Sequence, residues 1–203
     1  MQVKTMPVGP IGTNCYILSD ETAKVCAVVD PGGDAGEILK VIRADGNALT
    51  AILLTHAHFD HTGGVAGLEE AFPGTPVYVH RAETETAQPD IFPPLPGDVL
   101  RFYGDGDHVA VGGLDVAVLH TPGHSKGSVV LRCGDVLFTG DTLFRGSCGR
   151  TDLPGGSYEE IMASLARLGA LEGDFHVCPG HEGLSTLENE RKGNYSMREA
   201  MGG

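Results

Sequence analysis

Apolar residues along this chain come in short runs separated by glycine, proline and aspartate. Near the start, CYILS (15–19) and VCAVVD (25–30) are rich in residues that fit a pleated surface, and the second run ends at Asp30-Pro31-Gly32-Gly33, a turn signal. From Asp34 to Asp45 the spacing becomes helical. Ile38, Val41 and Ile42 form one stripe, Gly46 follows as a stop, and Asp34 with Glu37 is a candidate capping pair. AILLT (51–55) is apolar at successive positions, as in a strand buried on both faces. GGVAGLEEAF can start a helix, and VYVH (77–80) predicts a further strand.

Prolines at 89, 93, 94 and 96 exclude regular structure from 84–97, which is expected as a surface loop. HVAV, Gly112-Gly113, LDVAVLH predicts a β-hairpin, and SVVLRC, Gly134-Asp135, VLFTG repeats the signature. Ser157 with Glu160 opens a helix carrying Ile161, Leu165 and Leu168, and Ser185 with Glu188 suggests a second capped start. Hairpins interleaved with single helices predict an α/β architecture of two sheets covered by helices.

The 203 residues suffice for a single domain with a proper core, and no internal repeat or linker divides them. Charge adds more. With 14 Lys+Arg against 27 Asp+Glu, the formal charge is −13. Such a surface repels phosphate backbones and anionic lipid, so neither nucleic acid nor a membrane is an expected partner. Bound divalent cations would offset part of that charge locally. MQVKTMPVGPIGTNC has no basic segment followed by an apolar one, so no signal peptide is expected. Cys15, Cys26, Cys133, Cys148 and Cys178 are scattered and form no C-x-x-C pair, which argues against disulfides and against a cysteine-type zinc site. A cytoplasmic setting is therefore expected; the oligomeric state is not readable.

The candidate chemistry lies where AILL runs into THAHFDH (55–61). His and Asp offer lone pairs to divalent metals at low protonation cost near neutral pH. If the strand period persists, His56 and His58 project the same way and can share one ion, while Asp60 and His61 turn toward a second position. A metal pair about 3.5–4 Å apart could be served from this one loop. Lone histidines are usually structural, but a polar cluster at a buried strand end is costly without partners. Three more strand ends repeat the pattern: His124 on a Pro-Gly turn, Asp141 after a glycine, and His181 on a second Pro-Gly turn. Open α/β sheets gather their sites at such carboxyl ends.

In this order, H-x-H-x-D-H, T-P-G-H, G-D and P-G-H resemble the metallo-β-lactamase superfamily. Within it the likeness is to the glyoxalase II (hydroxyacylglutathione hydrolase) branch, especially its short bacterial members. It runs from NCYIL and VVDPGGD through GDTLFRGSCGRTDLPGG to PGHEGLSTLENER. The resemblance implies an αββα sandwich with His56, His58 and His124 around one metal, Asp60, His61 and His181 around another, and Asp141 bridging. It implies two divalent ions, zinc first, with iron or manganese as alternatives.

A hydroxide shared by two such ions is a usable nucleophile, because metals lower the pKa of bound water from 15.7 toward about 7. Asp60 and Asp141 are then the implied catalytic carboxylates, Asp60 orienting the water or taking its proton. No G-x-S-x-G elbow is present, in keeping with a reaction that needs no side-chain nucleophile. Hydrolysis of a small acyl-thiol is the expected reaction, although the same donors would serve lactams, esters or phosphodiesters.

Arg150 aligns with a basic residue that binds the glutathione moiety in that branch, and a guanidinium can clamp a carboxylate in two places. The alternative is an arginine in a surface salt bridge. Set against full-length glyoxalase II, the resemblance leaves no C-terminal helical domain expected after PGHEG and places Asp152 and Gly183 where that family uses tyrosine. The GSCGRTD segment also resembles the persulfide dioxygenase branch, which uses one iron held by residues matching His56, His124 and Asp141 with His58. His80, His108, His120 and His176 match no ligand position and are expected to be structural or solvent-facing. Cys148 and Cys178 read as small apolar fillers.

Overall fold

The computed structural model describes residues 1–85 and 88–203. Its elements, numbered along the chain, begin with strands β1 (Gln2–Val8), β2 (Thr13–Asp20) and β3 (Val25–Val29), helix α1 (Ala35–Ala44) and strand β4 (Ala48–Leu53). Helices α2 (Phe59–Thr62) and α3 (Val65–Ala71) follow, then β5 (Val77–His80), a 3-10 turn (Arg81–Thr84) and β6 (Leu100–Tyr103). The second half holds β7 (His108–Val111), β8 (Leu114–His120), β9 (Val129–Cys133), β10 (Val136–Gly140), and the short pair β11 (Leu143–Phe144) and β12 (Ser147–Cys148). It ends with α4 (Tyr158–Gly169), β13 (His176–Pro179), β14 (Ser185–Thr186), α5 (Leu187–Gly193) and α6 (Tyr195–Ala200).

Two six-stranded sheets result, ordered β1-β2-β3-β4-β5-β6 and β14-β13-β10-β9-β8-β7. Strand alternation assigns neighbouring residues to different layers. Ile17, Val28 and Ile52 pack with Ile38 and Ile42 of α1 and Leu68 of α3. Their neighbours Leu18, Val29 and Leu53 pack between the sheets with Val118, Leu131 and Phe138. On the far side, Val130, Leu137 and Val177 meet Leu165 and Leu168 of α4, Leu187 of α5 and Met197 of α6. The layers run helix, sheet, sheet, helix: the expected αββα sandwich.

Several expectations are refined. Asp34 precedes α1, but at φ 48 its side chain does not cap the helix. It accepts instead from the Gly9 amide at 2.9 Å, tying the β1–β2 turn down. Ser157 caps α4 as expected, accepting from the Glu160 amide. For the next helix the cap is Thr186, accepting from Asn189, while Ser185 belongs to β14 and bonds Glu190. The described residues of the proline-rich stretch 84–97 form no strand, and residues 86 and 87 lie outside the described residues. It is not wholly superficial: Phe92 is buried against the His58 ring, and the Ile91 carbonyl accepts from the Phe59 amide at 2.9 Å. Strand β1 was not expected, since its run is half polar; as a sheet edge it tolerates Pro7.

Candidate metal centre

Each group of donors sits just past the carboxyl end of a strand: His56 to His61 after β4, His124 after β8, Asp141 after β10 and His181 after β13. The two sheets meet at this rim, where the Val129 amide donates to the Thr55 carbonyl at 2.9 Å. All seven sequence-derived donors converge. They form three groups with ligand atoms mutually within 4.8 Å: His56, His58 and His124; His56, His61 and Asp141; Asp60, His61 and His181.

The hydrogen bonds behind the rings set which nitrogen is free. His124 Nδ1 donates to the Arg150 carbonyl at 2.8 Å, so Nε2 carries the lone pair. That Nε2 lies only 2.9 Å from His58 Nδ1. Thr55 Oγ1 donates to Asp30 at 2.6 Å and therefore accepts from His56 Nδ1 at 3.1 Å. His56 Nε2 is left facing inward, buried and without a partner. His58 Nε2, both ring nitrogens of His61 and Asp141 Oδ1 are likewise buried without hydrogen-bond partners. His61 Nδ1 does lie 3.0 Å from Asp30 Oδ2, but off the line a hydrogen bond needs.

The two carboxylates tie the groups together. Asp141 places Oδ1 3.4 Å from His61 Nε2 and Oδ2 3.4 Å from His124 Nε2, with His181 Nε2 3.6 Å from Oδ2. Asp60 Oδ2 accepts from Thr13 Oγ1 at 3.0 Å and lies 3.1 Å from His181 Nε2. Burial, and then His61, His58 and His124, hold the His56 imidazole well below its usual pKa. Burial followed by His124 brings His58 down to about 3. Burial pushes the Asp60 carboxyl up but is outweighed by the hydrogen bond from His181 and the charge-favouring proximity of the His61 ring, so it stays below the usual range. Asp141 is likewise held low, burial being overcome by His61. Burial also opposes a proton on His61, yet Asp141 and Asp30 draw one there, in a place a cation would take.

Orphaned lone pairs beside ionised carboxylates, this deep, are costly unless a cation completes them. The donor set is nitrogen and oxygen only, which suits zinc, iron or manganese. Glycine makes the space. A Cβ on Gly180 would stand 2.3 Å from Asp141 Oδ1 and 2.7 Å from His61 Cε1, and one on Gly149 would meet the Asp141 carbonyl at 1.9 Å.

Some residues that build the site were not singled out from sequence. Asp30 reads as part of a turn, but its buried carboxylate accepts from both the Thr55 amide and hydroxyl. Glu83 sits in an exposed-looking polar stretch, yet it is buried and bonds the Ala57 amide at 2.8 Å and the Gly127 amide at 2.7 Å. It therefore joins the loop of His56 and His58 to the loop of His124. An acidic residue ending a buried strand was a signal for Asp30; Glu83 gave none. Tyr16 donates to the Pro179 carbonyl at 2.6 Å and fixes the turn before His181.

The other histidines lie apart from the centre. His80 stacks on His120 with ring centroids 4.4 Å apart, His108 pairs with Asp115 at the surface, and His176 is exposed. Cys178 is buried, its thiol pushed up to about 12 by burial, as an inert filler should be. Arg150 is exposed at the mouth and forms a two-pronged ion pair with Asp152. The salt-bridged alternative is the one seen, with the arginine also lining the cleft.

The family model of the metallo-beta-lactamase superfamily matches residues 8–181. The chain is 36% identical to an uncharacterized Mycobacterium tuberculosis protein, over 96% of each. It is 32% identical to a Haemophilus influenzae protein named hydroxyacylglutathione hydrolase GloC, over 96% of this chain and 97% of that one. Among solved structures, the BLEG-1 B3 metallo-beta-lactamase superposes with a TM-score of 0.85 at 36% identity, covering 97% of this chain and 99% of that one. TTHA1623 in a di-iron-bound form gives 0.82 at 38%, covering 95% and 98%. ETHE1 from Myxococcus xanthus gives 0.83 at 27%, covering 96% and 84%. The order of the motifs, the layered fold and the converging donors agree with these likenesses, and the chain belongs to the metallo-beta-lactamase superfamily.

Proposed function

We propose that the protein is a metal-dependent hydrolase of small thioesters that holds two divalent ions. One observation carries the reading: seven histidine and aspartate donors converge, several with buried, unpartnered lone pairs, and five of them line an open cleft. His56, His58 and His124 would hold one ion, Asp60, His61 and His181 the other, and Asp141 would reach both. When bound, such ions activate water near neutral pH and polarise a carbonyl. The cleft, about 400 Å³, is lined by His58, Asp60, His124, Asp141 and His181, with no serine, threonine or cysteine among the described residues lining it to act as nucleophile.

The chain's own residues divide the remaining work. Thr13 and His181 engage Oδ2 of Asp60, so Oδ1 is the atom available to orient a water and take its proton. Phe144 and Leu153 line the same cleft and offer an apolar wall to an acyl chain. The likeness to a protein named hydroxyacylglutathione hydrolase favours a thioester over other acyl groups.

The test is hydrolysis of S-lactoylglutathione and other small thioesters after separate loading with zinc, iron and manganese. Turnover in at least one metal form that Asp141→Ala abolishes supports the proposal. Full activity in that variant, or oxygen uptake with a persulfide and one iron per chain in place of hydrolysis, contradicts it.

A further inference from the structure

Ile11 and Phe59, 55% and 48% exposed, rim the cleft, and Phe144 and Leu153 extend the apolar surface inward. Apart from histidine, Arg150 is the one cation among the described residues lining it. That cation is already occupied. Its Nε donates to Asp152 Oδ1 at 2.6 Å and its Nη2 to Oδ2 at 2.7 Å, the two-pronged geometry with which a guanidinium would otherwise grip a ligand carboxylate. Arg145, on the turn between β11 and β12, is exposed but does not line the cleft.

We infer that Asp152 is a specificity-determining residue: by occupying Arg150 it cancels the cleft's free positive charge and favours thioesters whose thiol portion carries no carboxylate. The inference rests on the thioesterase reading and narrows it.

Several considerations support it. An exposed pair contributes little to stability, so its consequence lies in what Arg150 can still bind. Asp152 is tethered two residues away, and its effective concentration is that of an intramolecular ligand, which a dissolved carboxylate must outcompete. The Arg150 hydrogen bonds bring the Asp152 carboxyl down to about 2, so it stays ionised at any working pH. The formal charge of −13 adds a general bias against anionic ligands.

The experiment compares S-lactoylglutathione, which carries carboxylates, with S-lactoyl-N-acetylcysteamine, which carries none, in the metal-loaded full chain. Wild type should show the higher kcat/KM on the neutral ester. Asp152→Asn should move the ratio toward the glutathione ester by about tenfold, the size of one charge-assisted hydrogen bond regained. Adding Arg150→Ala should cancel that shift. Binding of S-methylglutathione, followed by calorimetry, should tighten by a similar factor in Asp152→Asn and return in the double variant. A ratio and affinity unmoved by Asp152→Asn, or a wild-type preference for the glutathione ester, overturns the inference and leaves the thioesterase reading standing. Absence of turnover on either ester in every metal form removes that reading, and the specificity claim with it.

Discussion

At the scale of single residues, the site depends on atoms that are missing as much as on those present. Gly180 keeps its Cα hydrogen where a methyl would collide with Asp141 Oδ1 at 2.3 Å, a separation that real Cβ contacts do not reach. Gly180→Ala should therefore lose at least one metal ion per chain and most activity. Far-UV circular dichroism should remain that of wild type, because the tightest crowding falls on the Asp141 and His61 side chains and the adjoining Gly140 backbone. Retention of both ions in that variant would show that the aspartate has room to move. The seven donors were legible in the sequence because each is a polar residue placed where a buried strand stops. Thr55 and Asp30, which aim His56, are legible only once the strands are paired, since the Asp30–Thr55 contact spans 25 positions.

At the scale of elements, most of the fold could be read from apolar period and turn chemistry. Hairpins β7–β8 and β9–β10 have two-residue Gly-containing turns, and α4 has both an apolar stripe and a capping serine. Removing that cap by Ser157→Ala should cost about 1 kcal/mol, lowering Tm by roughly 2–4 °C in a chain of this size. An unchanged Tm would mean that the Ser157 hydroxyl is replaceable by water. What escaped was long-range. Glu83 is unremarkable in its local sequence, and its value lies in amides 26 and 44 positions away. Glu83→Ala strands two buried N–H groups and should destabilise by about 2–4 kcal/mol. Metal affinity should fall too, because the loops of His56, His58 and His124 lose their common tie. Loss of stability with unchanged metal affinity would make Glu83 a packing residue only. The edge strand β1 and the Thr186 cap escaped for a different reason. Their sequence signals are weak, and pairing with β2 and β13 decides them.

At the scale of the whole molecule, the two sheets hold each other's loops: β4 and β8, from different sheets, supply the donors of one group. Ions that bind this junction would bind only the folded state, and their removal should lower Tm. For an ion present at 100 times its Kd, the linkage is about 2.7 kcal/mol, or roughly 5–10 °C here. Chelation followed by thermal unfolding checks this; a Tm insensitive to chelator would separate the metal from the fold.

The most direct measurement is metal content per chain by plasma emission spectrometry, on protein loaded with zinc, iron or manganese and then dialysed, wild type beside Asp141→Ala. The account predicts two ions per wild-type chain in the metal form that turns over thioester, with a marked loss in the variant. One ion or none in every wild-type preparation, or two retained in Asp141→Ala, would contradict it.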